Sequence, residues 1–281
     1  MSYLFFDVDG TLVNSPKEWD ISDSNKQALL QAKKAGHKVF LCSGRGLTGC
    51  KYLLNSNLFD GIIFSDGGGV MVEGHPVKLN SVDTSVLHTT LDYITNTLHG
   101  YVMLSTLDKI YMPLDTIEEG ADWVVLKDGR YYMYDVPLYD ISEYHKEPVL
   151  EFDVMFTSEK DEKTFMEHLD PTMQYISTSA SYGRDGGTSG EVTKAGITKG
   201  SGVQAVLDMY NDPEGITYGF GDSMNDASLL QSTNIGIAMG NACDELKQYA
   251  DYITDNIEND GIYKALKKYG LLEWNVKSKR L

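Results

Sequence analysis

Cysteine is scarce in this 281-residue chain, and its three copies, Cys42, Cys50 and Cys243, are too scattered for a disulfide framework. They form no C-x-x-C pair, and His37, His75, His88, His99, His145 and His168 lack metal-ligand spacing, so zinc is not indicated. A reducing compartment follows from this usage. Long apolar runs are also missing: nothing approaches the ~20 residues that span a bilayer. The N-terminal apolar stretch from Tyr3 to Phe6 is broken by Asp7 and has no basic region before it, unlike a signal peptide. Positive charge is in deficit, with 24 Lys and Arg against 41 Asp and Glu, a formal net charge of −17. Such a surface repels nucleic-acid backbones and anionic lipids, so neither nucleic acid nor a membrane is the expected partner. Phosphate esters are repelled as well, and a site for one would need local positive charge from a metal, lysine or arginine. There is no internal repeat. The expectation is a soluble, cytoplasmic protein, a monomer or weak homo-oligomer.

At 42% hydrophobic and 23% charged residues, the composition is that of a globular protein long enough for one large domain or two ordinary ones. Short apolar runs alternate with helical patterns, the signature of parallel strands buried on both faces by crossover helices. After the Tyr3–Phe6 strand, Ser24-Asn25-Lys26-Gln27 reads as a capping box, with Ala28, Leu29, Ala32 and Ala35 as the buried stripe and Gly36 as the stop. Strands follow at 38–42 and 61–65, then a hairpin over 70–79. From about Val82 the rhythm changes to a helix through Val86–Leu98, the aromatic segment Tyr131–Tyr134, a strand at 149–155, a helix near 159–169, a strand at Tyr175–Ser177 and a glycine-rich loop, Gly183–Gly190. After Lys199 the alternation resumes with strands at 216–220, 235–239 and 252–253, and helices at 241–250 and before Gly270. The predicted fold class is α/β: a Rossmann-like parallel-sheet core of residues 1–81 and 192–281, and an inserted α+β domain, 82–191.

What stands out is where the acids fall. Asp7 and Asp9 follow the first strand, Asp222 and Asp226 follow the strand 216–220, and Ser43 and Asp66 close two others. Open α/β sheets bind ligands beyond the carboxyl ends of their strands. Carboxylates as close as Asp7 and Asp9 repel unless a cation neutralises them or one holds a proton. Lys199 begins a helix, where the dipole disfavours a cation, which points to an anionic neighbour.

Asp7-Val8-Asp9-Gly10-Thr11-Leu12, Ser43-Gly44-Arg45, Lys199-Gly200 and Gly221-Asp222-Ser223-Met224-Asn225-Asp226 resemble, in order, the four motifs of the haloacid dehalogenase-like phosphatases. The long insert and the ending Ala250–Thr254 followed by Asp260-Gly261-Ile262 are similar to the Cof-type branch with its large α/β cap. The resemblance implies Asp7 as nucleophile forming an aspartyl-phosphate and Asp9 as general acid and base. It implies Mg²⁺ on Asp7, the Asp9 backbone carbonyl and Asp222, with Asp226 supporting that shell. Ser43, Gly44, Lys199 and Asn225 are implied to hold phosphate, and the cap to close over a small phosphorylated metabolite such as a sugar phosphate or pyridoxal phosphate.

Rivals remain at this point. A phosphosugar mutase would use the same aspartyl-phosphate, and a silent phospho-ligand-binding protein would keep the fold but has no need of Asp9. Gly44-Arg45-Gly46-Leu47-Thr48-Gly49 fits a dinucleotide fingerprint, but on the second strand, and it leaves the four acids unexplained. An EF-hand over Asp7, Asp9 and Glu18 has Leu12 where glycine is needed. Asp66-Gly67-Gly68 stands where many Cof-type relatives carry asparagine-glycine-alanine, and the Tyr131–Tyr134 segment and Arg184 read as sheet face and exposed loop.

Overall fold

The computed structural model describes residues 1–15, 17, 18, 20–114, 130, 131, 136–177 and 188–273. The chain opens with β1 (Ser2–Phe6), whose five residues are all buried, as a strand covered on both faces must be. Helix α1 (Asp23–Lys34) follows, with Asn25 N–H donating to Ser22 Oγ at 3.3 Å. Its cap is therefore Ser22 rather than the Ser24 of the predicted capping box: the extended backbone at Ser22 lets the hydroxyl reach the third helical N–H. Next come β2 (Lys38–Cys42), α2 (Leu47–Leu54), β3 (Gly61–Phe64), β4 (Gly69–Val72) and β5 (His75–Leu79).

The middle of the chain contributes α3 (Thr84–Asn96), β6 (Tyr101–Ser105), β7 (Ile110–Met112), β8 (Arg130–Tyr131), β9 (Val136–Asp140), β10 (Glu151–Phe156), α4 (Glu159–His168), β11 (Met173–Ser177) and β12 (Thr188–Lys194). The final part supplies α5 (Lys199–Met209), β13 (Ile216–Gly221), α6 (Ala227–Ser232), β14 (Ile235–Ala238), α7 (Asp244–Lys247), β15 (Tyr252–Ile253) and α8 (Gly261–Lys268). Among the described residues no helix is long and apolar enough to cross a membrane.

Two compact units emerge. The first holds Met1–Gly44, Leu53–Lys78 and the described residues from Thr198 onward. Its eight-stranded sheet runs β15-β14-β13-β1-β2-β3-β4-β5, parallel from β15 through β3 and antiparallel at β3–β4. Tyr3, Phe5, Phe40, Ile63 and Val70 from the strands and Val203, Val206 and Leu229 from the helices form one buried cluster on it. The second unit comprises Arg45–Tyr52 and the described part of Leu79–Ile197, with a sheet in the order β11-β12-β10-β6-β7-β9-β8. Leu87 and Ile94 of α3 and Phe165 of α4 pack there against Val102, Phe152, Val154 and Val192.

Further details differ from the sequence reading. Thr188, Ser189 and Gly190, expected in the glycine-rich loop, are in β12, where antiparallel pairing to both β10 and β11 takes up their backbone groups. That strand continues through Lys194, three residues past the boundary at 191 read from the sequence. The helix expected over 241–250 contracts to α7, because Asn241 spends its amide on backbone elsewhere: Nδ2 donates to Gly10 O at 2.8 Å and Oδ1 accepts from Ile257 N–H at 2.9 Å. Residues 132–135 and 178–187, which include most of the aromatic segment, Arg184 and Gly183–Gly187, lie outside the described residues.

Candidate active site

Strand order makes the site. From β1 the chain builds β2 and β3 on one side and, much later, β13 to β15 on the other, so β1 and β13 flank the point where the winding reverses. Phe6 is in register with Phe220 and with Leu41 on the two neighbours. Asp7 N–H extends this ladder to Phe220 O at 2.9 Å, and Ser43 N–H bonds Ile63 O at 2.9 Å. Asp7, Ser43 and Asp222 thus leave three parallel strands at one edge of the sheet. Carboxylate oxygens of Asp7, Asp222 and Asp226 all lie within 4.8 Å of one another.

The segment after Asp7 is a tight turn. Leu12 and Val13 N–H both donate to Val8 O, and Gly10 N–H donates to Val13 O at 2.8 Å. Gly10 takes φ +80°, and a Cβ there would stand 2.2 Å from Asp222 Oδ2. Only glycine lets the turn and the downstream carboxylate approach so closely. Thr11 Oγ1 donates to Asp222 Oδ1 at 3.2 Å, and Ser15 Oγ donates to Asp9 Oδ1 at 2.6 Å.

Lys199 occupies the centre. It is 1% exposed, with Nζ 2.7 Å from Asp7 Oδ1, 2.6 Å from Asp226 Oδ1 and 4.0 Å from Asp66 Oδ1. Thr198 aims it: its side chain accepts from Ser201 N–H and its own N–H donates to Ser201 Oγ, a reciprocal cap that fixes the first turn of α5. Gly200 brings α5 against α6, since a Cβ there would lie 2.2 Å from Ser232 Oγ. Asp226 spends its other oxygen, Oδ2, on the N–H groups of Asp222 at 2.9 Å and Ser223 at 3.2 Å.

So much negative charge out of water shifts the proton equilibria of Asp7, Asp222 and Lys199. Burial, and then the charge of Asp226, push the Asp7 carboxyl well above its usual range despite the pull of Lys199. Burial and Asp226 likewise hold Asp222 up at about 7. Burial works against a charged Lys199, but Asp226 and Asp7 more than compensate and raise it. One ammonium among four carboxyl groups leaves negative charge uncompensated. The carboxylates of Asp7, Asp222 and Asp226 offer oxygen, the chemistry of a hard divalent cation, so these three residues fit such an ion.

Of the residues singled out in the sequence, Asp7, Asp222, Asp226 and Lys199 are brought into direct contact or near it. Asp9 stays on the turn two residues beyond Asp7, bonded to Ser15. Ser43 is buried beside Asp66, whose N–H donates to Ser43 O at 3.2 Å, and Gly44 follows it half-buried. Asn225 sits on the short turn Met224–Asp226, its Oδ1 accepting from Ser223 Oγ at 2.8 Å. Ser65 and Asp66 both adopt positive φ, 49° and 46°, unusual for residues with side chains. Sequence reasoning missed Thr11, Ser15 and Asn241 as supports. The first two lie inside or just after a motif already in hand, whereas nothing local marks Asn241.

Acids from two strand ends, a serine from a third and a buried lysine gather at the carboxyl edge of a doubly wound parallel sheet, where such folds bind their ligands. The sequence profile of the haloacid dehalogenase-like hydrolases matches residues 4–266. YkrA of Bacillus subtilis is 28% identical over 272 residues, 96% of this chain and 98% of its own length. From the same organism, 5-amino-6-(5-phospho-D-ribitylamino)uracil phosphatase YcsE is 28% identical over 271 residues, 94% of each chain. The solved structure of the HAD subclass IIB sugar phosphatase BT4131 aligns with a TM-score of 0.76 at 26% identity, covering 97% of this chain and 100% of that one. This chain belongs to the haloacid dehalogenase-like hydrolases, in their Cof-type, subclass IIB branch.

Proposed function

We propose that the protein is a Mg²⁺-dependent phosphomonoesterase for small phosphorylated metabolites, with sugar phosphates, sugar-alcohol phosphates and pyridoxal phosphate as the class to test first. The observation that carries this reading is the meeting of Asp7, Asp222 and Asp226 oxygens within 4.8 Å, with Lys199 Nζ 2.7 Å from Asp7. The names of YcsE and of the sugar phosphatase support the substrate class.

Asp7 attacks phosphorus and forms an aspartyl-phosphate, which splits one displacement into two. Asp9 gives a proton to the leaving oxygen, then takes one from the water that hydrolyses the phosphoenzyme. Ser43, the Gly44 backbone, Lys199 and Asn225 bind phosphoryl oxygens and stabilise charge that spreads over them. The ion would be held by Asp7, the Asp9 carbonyl and Asp222, and when bound it supplies further positive charge to the phosphoryl group. Asp226, with both oxygens already engaged by Lys199 and two backbone N–H groups, suits a supporting place behind these ligands.

Asp7→Asn is expected to abolish phosphate release from p-nitrophenyl phosphate with Mg²⁺ present while far-UV circular dichroism stays unchanged. Wild-type turnover in that variant would overturn the proposal.

A further inference from the structure

We propose that the cleft between the segment after Val13 and the short turn Ile257–Asn259 is a binding site for a small organic ammonium compound with a hydroxyl at its far end. The cleft holds about 350 Å³, the size of a small-molecule pocket. None of the residues assigned above to metal, phosphate or proton transfer is among its walls. Asn25, on the first turn of α1 and 1% exposed, lines it. Among the described residues neither Nδ2 nor Oδ1 of Asn25 has a hydrogen-bond partner. A buried amide unmet in both its roles costs stability, and leucine would serve the helix better at that position. The side chain is thus poised to give one hydrogen bond and to take another.

A single hydroxyl answers both needs, since it donates to Oδ1 and accepts from Nδ2. Leu12, which is buried, and half-buried Ile257 add apolar wall, which suits a short hydrocarbon body. The rim is acidic: Glu18, Asp20, Glu258 and Asp260 stand against one lysine, Lys17. Lys17 Nζ is 3.0 Å from Glu258 Oε1, to which Asn14 Nδ2 also donates at 3.1 Å, and this bridge ties the two sides of the cleft together. Asp20 is matched by Lys26 Nζ at 2.6 Å. Glu18 and Asp260 have no ion pair among the described residues, so their charge selects a cation at the mouth. The same rim repels a phosphate or carboxylate. Amide within and acids without tell the two ends of the ligand apart.

Tyramine, which joins a phenolic hydroxyl, a ring and an ammonium, is the probe. Calorimetry should give a Kd on the order of 1 mM, within what so few atoms supply. Phenethylamine, which lacks the hydroxyl, should bind about tenfold more weakly because Asn25 stays unmet. Tyrosol, with a hydroxyl in place of the ammonium, should bind several-fold more weakly, the modest worth of exposed charge. Asn25→Leu should weaken tyramine by at least about tenfold, while its thermal midpoint without the probe equals or exceeds that of the wild type. Glu18→Gln combined with Asp260→Asn should weaken tyramine and leave tyrosol unchanged. The proposal is overturned by no saturable binding of tyramine at several times the expected Kd, or by binding that ignores Asn25→Leu. A lower midpoint in Asn25→Leu overturns it as well, since the amide would then be satisfied within the fold. Neither readout uses turnover, so the phosphomonoesterase proposal stands or falls apart from these results.

Discussion

At the scale of single residues, Lys199 carries the largest consequence. Its ammonium directly contacts two buried carboxylates, and removing one partner from such a group leaves charge stranded away from water. Lys199→Met should therefore destabilise the metal-free protein by about 3 kcal/mol in urea unfolding, at the low end of such losses, and a saturating divalent cation should recover part of it. No loss of stability would mean that Asp7 and Asp226 do not depend on the lysine. Gly10 makes a separate prediction. Gly10→Ala would force a Cβ toward Asp222 Oδ2 at φ +80°, so about 1–3 kcal/mol should be lost, with weaker Mg²⁺ binding by calorimetry. Asp7, Asp9 and Asp222 were legible in the sequence because each follows an apolar strand by one or a few residues. The bond from Asn241 to Gly10 O joins positions 231 apart and has no such local mark.

Among the elements, α5 shows how local sequence aims a functional side chain. The Thr198–Ser201 cap fixes the helix start, and the helix start fixes Lys199. Thr198→Ala should cost about 1 kcal/mol of stability and raise the inhibition constant of inorganic phosphate, since the ammonium loses its fixed origin. An unchanged inhibition constant would separate the cap from the site. The strands were readable because those of a parallel sheet, covered on both faces, are continuously apolar. Helix limits were less so. At α1 the hydroxyl that caps depends on backbone angles at Ser22, and at α7 a tertiary demand on Asn241 cut a plausible helix short. β12 escaped notice because Thr188-Ser189-Gly190 has turn-like composition, yet pairing on both sides outweighs that preference.

For the whole molecule, the uncompensated acids tie stability to pH and to metal. In the metal-free protein Asp222 is held up at about 7, while in the unfolded chain it titrates near ~4. Between those values the folded state holds a proton that the unfolded state has released, so stability falls as pH rises through this window and levels off above it. Asp7, raised by burial and by Asp226, acts in the same direction. Thermal unfolding of the metal-free protein should lose midpoint from about pH 5 to about pH 7.5, with a shallower decline in Asp222→Asn, and added Mg²⁺ should raise the midpoint more at the higher pH. Equal slopes for the two proteins would remove Asp222 from the account. The net charge of −17 makes local compensation at this site the more necessary, as a phosphorylated substrate must approach a surface of its own sign.

On the proposed function the Asp7 carboxylate becomes bonded to phosphorus. Rapid acid quench of the enzyme turning over phenyl phosphate with Mg²⁺, followed by mass spectrometry of the N-terminal peptide, tests it directly. The account predicts one phosphoryl group on Asp7 at early times, absent in Asp7→Asn. Turnover with no phosphorylated peptide at any time, or a phosphoryl group on another residue, would contradict it.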